Sequence, residues 1–449
     1  MSHFPPEIMD IIIGFAADGT SSLGDSYIQW LQMREISLLS TLSLVSRNWL
    51  SACRRVLFKR LDFVFDVKDS RRISDFIDIL RDRDHLPRIP HILSLLSTIT
   101  LKLPIACVGS IANYPELMFT FLDELAKRKE FFRPKTLNIQ DNLWKLPHHS
   151  CICHPSLLVW AIVEAFSTIT HLNFDAPIEP DCCSNLDHLM FFFNELRELD
   201  IWYYWPALSL TNGGGLHGYR IPESLRTLQF NTPLYFPGDH LDRTLDWLKL
   251  HPPLRQMRRL SFVNAAPSSH AVIQALADIC PDLDALFLSY GDGDIIRKAA
   301  DVIDLSHNKQ LGRLCFQIPK FPILSSVCEE AILETILHTV QTATSLSGSL
   351  EILIDASHLS FKKEHWWSLL GKAVSALPQH VVCQVRIVYG FEGEIGEGII
   401  RSLLQNLAPR RRILFRSEES ATWSYEPRGW QDFEVADQST WKSIAVEDE

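Results

Sequence analysis

A short apolar pattern, Leu-x-x-Leu-x-apolar, recurs along this chain of 449 residues. Apolar residues at alternate positions are typical of a strand that buries one face. We take the middle apolar residue of each copy as its marker. From residue 172 onward the markers are 27, 29, 32, 26 and 28 residues apart, at Leu172, Leu199, Leu228, Leu260, Leu286 and Leu314. A repeat of about 20–29 residues typically holds one strand and one helix, so these intervals predict a stack of repeated units.

The segments between these strands have the sequence features of helices. Residues 117–129, 268–280, 327–340 and 366–377 carry apolar side chains at helical spacing. The first of them ends in three basic residues, and the second begins with two serines and stops before Pro281. Alternating strands and helices predict a mixed α/β fold, with parallel strands and helices on the outer face.

The strand pattern resembles a divergent leucine-rich repeat. Weaker copies at residues 350–354, 381–388 and 412–415 continue the series, and residues 60–66 are predicted to form its first strand. The copies depart from the family, since no regular asparagine follows the strand and the step from Leu314 to Leu353 is 39 residues. The resemblance implies an irregular solenoid. The alternative is a conventional α/β domain whose strands share the pattern.

Residues 4–61 differ in character from the repeats. Pro5 or Pro6 suits the first turn of a helix, where a backbone N–H has no partner, and Glu7 complements the positive end of that helix. Apolar residues then recur on two sides of the helix, so each side needs a neighbour. Ser46 is placed to begin a later helix that carries Trp49. The segment is predicted to form three short helices, with one apolar side facing a partner.

This sequence pattern resembles an F-box, the module that docks a protein onto the Skp-type adaptor of a cullin–RING ubiquitin ligase. Phe4 stands where the family usually has Leu, and the Gly-, Ser- and Asp-rich residues 18–28 separate the two halves of the motif. The resemblance assigns adaptor binding to the residues that match the motif. These are Pro5, Pro6, Glu7, Ile8, Ile11, Ile12, Leu42, Leu44, Val45 and Trp49.

The architecture resembles that of fungal F-box proteins in which this module precedes a divergent leucine-rich solenoid, with the repeat region similar by pattern only. We therefore predict an F-box-like helical domain at residues 1–60, a solenoid at 61–418 and an acidic, Trp-containing tail at 419–449, part of which docks on the final repeats. The resemblance implies a substrate-recognition subunit of an SCF-type ubiquitin ligase. Its partners would be the Skp-type adaptor, cullin through that adaptor, and a protein target. The alternative is a leucine-rich-repeat interaction scaffold without a ligase role.

Side chains next to the inward-facing apolar residues of such strands point to the open side of the sheet. That rule predicts a concave, largely polar surface, with the aromatic residues 202–205 at its edge. Trp and Tyr are enriched in interface hot spots, although these aromatics can equally fill the core beneath the loop at 206–222. The candidate target-binding residues are Asp175, Asp200, Trp202, Tyr203, Gln229, Asn231 and Gln317.

Composition argues against other classes of function. The net charge of −11 disfavours sequence-independent binding to nucleic acid, which needs a basic face. No window approaches the roughly 18 apolar residues of a membrane span, and the N-terminus lacks the features of a secretion signal. The ten cysteines show no disulfide spacing, which favours a reducing compartment. We expect the protein in the cytoplasm, the nucleus or both.

No motif in the chain assembles catalytic chemistry. Residues 148–154 are rich in His and Cys, and Cys182, Cys183 and His188 could add ligands. However, Cys-x-Cys spacing does not match the common structural zinc sites, and a loop that ends at a helix start at Pro155 is the simpler interpretation. We therefore expect no metal, no cofactor and no enzymatic activity. An enzyme site at residues 148–154 or 202–218 is the remaining alternative.

Overall fold

The structure is a computed structural model, and it describes residues 53, 59–65, 70–81, 93–103, 114–141, 155–175, 189–201, 220–231, 240–265, 269–290, 303–318, 326–355, 364–389, 412–417 and 442–445. The chain divides into two compact units, Met1–Ala176 and Pro177–Glu449. Both contain helices and parallel strands, which confirms the predicted mixed α/β class. The predicted N-terminal three-helix module lies outside the described residues, apart from Cys53, which is helical and buried.

The elements of the first unit with described bounds are four strands and three helices. Their order is β1 (Arg60–Val64), α1 (Ser70–Arg81), β2 (Thr98–Leu103), α2 (Tyr114–Ala126), β3 (Thr136–Asp141), α3 (Pro155–Ala165) and β4 (His171–Asp175). The strands pair in parallel and in chain order. A helix lies in each crossover, because parallel neighbours need a long connection. Helix α3 begins at Pro155, as predicted.

The second unit has more strands, and described helices lie in some of its crossovers. Its described elements are α4 (Leu189–Phe192), β5 (Glu198–Ile201), β6 (Thr227–Phe230), α5 (His240–Leu250), β7 (Arg259–Ala265), α6 (His270–Ile279), β8 (Ala285–Tyr290), β9 (Arg313–Ile318), α7 (Ser326–Thr342), β10 (Ser349–Asp355), α8 (Glu364–Ala376), β11 (Val382–Tyr389), β12 (Arg412–Ser417) and β13 (Lys442–Ala445). Strands β5 to β12 pair in parallel and in chain order. Strand β13 pairs with β12 in the antiparallel sense, so this part of the tail docks on the final strand, as predicted.

The markers of the sequence pattern lie in one row across the second unit. The strand register aligns Leu199, Leu228, Leu260, Leu286, Leu314 and Leu350. The partner of Leu314 is thus Leu350 and not Leu353, and the last step is 36 residues rather than 39. The assignment of Leu353 was wrong because this strand has apolar side chains on both faces, so alternation alone did not fix its register.

A hydrogen-bonded turn precedes strand after strand. In each, the N–H of the residue three before the marker donates to the carbonyl three residues further back, with N···O distances of 3.0–3.3 Å. The pairs are Leu196 and Phe193, Leu225 and Pro222, Met257 and Leu254, Leu283 and Cys280, and Leu311 and Asn308. The repeats therefore share a backbone turn as well as a strand.

The carbonyl just before a strand accepts two hydrogen bonds from the following strand in the sheet. The two donors are consecutive N–H groups, at N···O distances of 2.7–3.0 Å. This occurs at Lys59, Ser97, Lys135, Arg197, Arg226, Arg258 and Asp284. Each new strand is thus aligned with the preceding one from its first residue.

Helices cover the marker face of the strands. In the first unit, Phe63 of β1 contacts Phe76 of α1 and Phe121 of α2, with ring centroids 5.1 and 4.6 Å apart. In the second unit, Tyr290 of β8 meets His270 of α6 edge to face at 5.9 Å. Since Phe63 and Tyr290 lie on the marker face, the apolar core of each unit lies between strands and helices.

Helix α2 ends at Ala126, so the three basic residues predicted to end this helix follow it instead, in a turn. Helix α6 agrees with its sequence signals. Helix α6 ends at Ile279, just before Pro281, and Ser269 occupies its N-cap position without making a side-chain capping hydrogen bond. None of the helices in the described residues is long and apolar enough to cross a membrane. The described cysteines, Cys53, Cys280, Cys315 and Cys383, are buried free thiols.

Candidate functional site

The sheet face opposite the helices carries a row of residues aligned by the strand register. In the second unit the row contains Asp200, Gln229, Ser261, Phe287, Cys315 and Glu351. Neighbouring strands lie about 4.8 Å apart, so adjacent members of the row are direct neighbours. This is the face on which a target was predicted to bind. The burial and the charge of these residues change along the row.

Asp200, Gln229 and Asn231 form a hydrogen-bonded group, which we call the amide cluster. Gln229 Nε2 donates to Asn231 Oδ1 at 2.8 Å, and Asn231 Nδ2 donates to Asp200 Oδ1. Asn231 is buried, and its backbone N–H donates to the Ile201 carbonyl at 2.7 Å, which fixes its position. Asp200 and Gln229 are half-buried. The cluster thus holds a carboxylate and a carboxamide in set orientations at the surface, where they can bind polar groups of a ligand.

The same face is buried further along the row. Val263, Phe287 and Cys315 form a buried apolar cluster. Gln317, a predicted target-binding residue, is only 1 % exposed, and Ser261 is fully buried. The prediction of an open surface is wrong here, because apolar side chains such as Val263 and Phe287 share the face and are stabilised by burial.

An ion pair lies at the far end of the row. Glu351 Oε1 is 3.0 Å from Arg313 Nη2 and 3.1 Å from Arg313 Nε. Both side chains are largely withdrawn from solvent. Because each charge is neutralised by its neighbour, this end of the row offers a ligand little net charge.

The structure brings together only part of the predicted site. Asp200, Gln229 and Asn231 are in contact, whereas Asp175 ends β4 in the first unit, in register with Gln140 of β3. Outside the described residues lie Trp202 and Tyr203 and every predicted adaptor-binding residue, Pro5, Pro6, Glu7, Ile8, Ile11, Ile12, Leu42, Leu44, Val45 and Trp49.

A cavity that the sequence did not predict lies beside the start of β6. Its volume is about 330 Å³, and its walls are Phe191, Phe192, Asn194, Arg220, Ile221, Pro222, Glu223, His251 and Pro252. Trp247 supports it from below, edge to face with Phe191 at 6.1 Å and with His251 at 5.6 Å. The sequence does show a histidine between a helix and two prolines. Nothing in it, however, indicates that this histidine meets residues about thirty positions earlier in the chain.

His251 has a structural role in this cavity. Its Nε2 accepts a hydrogen bond from the Ile221 N–H at 2.9 Å, and its Nδ1 donates to the Pro252 carbonyl at 2.8 Å. These partners fix the neutral tautomer, and burial lowers the pKa of His251. Because both ring nitrogens are engaged by the backbone, the imidazole does not serve as a general base here.

Metal-capable side chains do not converge in the described part of the chain. No group of three or more His, Cys, Asp or Glu residues is arranged there to hold an ion. The His- and Cys-rich residues 148–154 and the residues Cys182, Cys183 and His188 lie outside the described ranges.

Comparison with known proteins adds no family: no protein-family model matches this chain, and no curated protein matches it. The class of this protein therefore rests only on its fold and its candidate site. The chain is a repeat-like protein of mixed α/β structure, built on parallel strands.

Proposed function

We propose that this chain is the target-binding subunit of an SCF-type cullin–RING ubiquitin ligase. Residues 4–61 dock onto a Skp-type adaptor, and through it onto cullin, while the repeats hold a protein target. The observation that carries the proposal is the order of the two parts, since the F-box-like sequence runs directly into β1 at Arg60, where the repeats begin. Repeated units suit this task because each unit adds binding surface.

The amide cluster supports the target-holding half of the proposal. Its carboxylate and carboxamide are half-buried and held by hydrogen bonds, so little side-chain freedom is lost when a ligand binds. We propose that the chain itself performs no catalysis, takes no cofactor and acts in the cytoplasm, the nucleus or both. Transfer of ubiquitin belongs to the other subunits of such a ligase. Divergent leucine-rich repeats are the specific repeat type that we propose.

Capture of a Skp-type adaptor by the purified full-length chain tests the docking half. Wild-type protein is expected to retain the adaptor, and Pro6→Ala/Ile8→Asp is expected to lose it, because the second change places a carboxylate in the apolar docking surface. The matched control, Asp200→Asn/Gln229→Ala, changes the amide cluster and should capture the adaptor normally. Equal urea midpoints would show that all the proteins are folded. Failure of the wild-type chain to capture the adaptor would refute the proposal.

A second candidate is an interaction scaffold in which residues 4–61 serve only as an N-terminal cap. The observation in its favour is that β1 pairs with β2 alone among the described strands, so its other edge needs cover. Removal of residues 1–58 distinguishes the candidates. A cap predicts a large loss of stability in the first unit without any adaptor capture by the full chain, whereas a docking module predicts capture.

A further inference from the structure

Three arginines stand side by side where strands β5, β6 and β7 begin. Each occupies the position just before its strand, and we call the set Arg197, Arg226 and Arg258 the arginine ladder. The residues that follow them are partners in the strand register, namely Glu198, Thr227 and Arg259. The three arginines are therefore consecutive along one edge of the sheet in the second unit.

Backbone hydrogen bonds fix the spacing of the ladder. The Arg197 carbonyl accepts from the N–H groups of Arg226 and Thr227 at 2.7 and 3.0 Å. The Arg226 carbonyl accepts from Arg258 and Arg259 at 2.8 and 2.9 Å. Neighbouring strands are about 4.8 Å apart, so the backbones of the three arginines follow one another at close to that interval, with one arginine on each strand.

The guanidinium groups of the ladder have unused hydrogen-bonding capacity. All three side chains are exposed. Arg258 Nη1 donates to the Asp282 carbonyl at 2.9 Å and to Gln310 Oε1 at 3.3 Å, which holds this side chain in place. Arg197 and Arg226 make no side-chain hydrogen bond or ion pair with any residue that the structure describes. No carboxylate of a described residue forms an ion pair with Arg258 either.

The ladder is a short row of positive charge on a chain of net charge −11, and exposed carboxylates lie close to it in the chain at Glu195, Glu198 and Glu223. Like charges at this spacing repel one another, and a ligand carrying several negative charges relieves that repulsion. Guanidinium groups bind carboxylates through two parallel hydrogen bonds. Three arginines in a short row are a small footprint for a nucleic-acid backbone, and the overall negative charge opposes such a ligand.

We infer that the arginine ladder binds an acidic segment of a partner protein, with Asp or Glu carboxylates accepting hydrogen bonds from Arg197 and Arg226. The inference rests on the target-binding half of the proposed function, because it names the chemistry of the target. It does not depend on adaptor docking.

Fluorescence anisotropy with the full-length chain tests this inference. The probes are a labelled peptide of alternating Asp and Glu and a peptide of equal length in which Asn and Gln replace them. The acidic peptide is expected to bind, and the amide peptide is not. Arg197→Gln/Arg226→Gln should weaken binding of the acidic peptide about tenfold or more, since it removes two charge-assisted contacts. Arg197→Lys/Arg226→Lys should bind the acidic peptide with an affinity between those of wild type and the Gln variant, because lysine keeps the charge and loses the paired hydrogen bonds.

A charge-matched control separates the ladder from a general effect of net charge. Arg71→Gln/Arg133→Gln removes two exposed arginines of the first unit and should bind the acidic peptide within about twofold of wild type. Equal weakening in this control, or equal binding of the two peptides to wild type, would overturn the inference. Tighter binding of a single-stranded oligonucleotide with the same dependence on Arg197 and Arg226 would also overturn it. Adaptor capture by the ladder variant should be normal, so failure here is distinct from failure of the ligase proposal.

Discussion

Glu124 and Arg128 form a buried ion pair one helical turn apart, with Arg128 Nη1 2.7 Å from Glu124 Oε2. Arg128 also donates to the carbonyl of Leu80 near the end of α1, and Arg81 Nε donates to Glu124 Oε1 at 3.3 Å. The pair therefore joins α1 to α2 within the first unit. It has the features of an interaction whose loss is costly, since both charges are withdrawn from water.

Replacing Arg128 by Met is expected to destabilise the protein by about 1–3 kcal/mol, because the buried Glu124 would lose the nearest of its three basic partners while keeping Lys127 and Arg81. Urea denaturation followed by a probe in the first unit measures this loss. The control Lys129→Met removes an exposed charge next to the pair and should change stability by no more than about 0.5 kcal/mol. The double variant Glu124→Gln/Arg128→Met should recover part of the loss, and no recovery would contradict the pairing.

Stability is expected to fall as pH drops from about 4.5 toward 2 because of Glu124. Burial raises the pKa of this carboxyl, but hydrogen bonds from Arg128, Lys127 and Arg81 outweigh burial and lower it to about 2. The unfolded chain therefore binds a proton more readily than the folded chain in this window, so acid favours unfolding. The difference in unfolding free energy between wild type and Glu124→Gln should shrink steadily over this range. A constant difference would be evidence against the lowered pKa.

We expect a second loss of stability at mildly acidic pH, when His251 takes up a proton. Burial lowers its pKa below the usual 6.5, with Arg220 adding to the effect while the Pro252 carbonyl and Glu223 oppose it. The folded state thus favours the neutral imidazole, and its contribution is complete above about pH 6.5 and lost as pH falls through the lowered pKa. Urea midpoints of wild type and His251→Gln should converge as pH is reduced through this range.

A matched histidine variant supports the His251 measurement. His380 is exposed, and His380→Gln tests whether the loss of any histidine gives the same result. The same convergence in both variants would show that His251 is not responsible.

We expect alanine to be poorly tolerated at Gly348 and well tolerated at Gly312. A Cβ at Gly348 would overlap with the Gly312 carbonyl oxygen, which belongs to the main chain just before β9 and cannot move away cheaply. Gly348→Ala should therefore cost about 2 kcal/mol or more. A Cβ at Gly312 would meet Asp284 Oδ1, the end of an exposed side chain that can rotate, so Gly312→Ala should cost under about 1 kcal/mol. Thermal unfolding of the two variants tests this order, and a reversed order would count against the strand contact.

The strands were predictable because each carries its own signal. Leu199, Leu228 and Leu260 are markers in the sequence and partners in the sheet, since alternation within a few residues decides which face is buried. The fate of the opposite face was not predictable in this way. Gln317 and Ser261 follow the same alternation as Gln229, yet they are buried, because burial there depends on packing between distant parts of the chain. Alternation reports which side chains share a face, and it does not report whether that face is covered.

The candidate site was likewise predictable only in part. Asp200 and Gln229 were predicted to share one face because they lie at equivalent positions of the repeats, and the strand register makes them neighbours. The cavity at His251 and the arginine ladder were missed, although for different reasons. The cavity joins segments with no shared sequence pattern, whereas Arg197, Arg226 and Arg258 do occupy equivalent positions, two before each marker. A comparison of the non-apolar positions between repeats would have revealed the ladder.

The doubled hydrogen bond at the carbonyl before each strand has a consequence for how this protein can change. Alignment of the strands there uses backbone atoms alone, and the residues that supply the carbonyl include Lys59, Ser97, Arg226 and Asp284. Side chains of either charge, or of none, are compatible with the same main-chain geometry. The rim of the sheet can therefore acquire a new charge pattern, by mutation or by design, while the architecture beneath it stays the same.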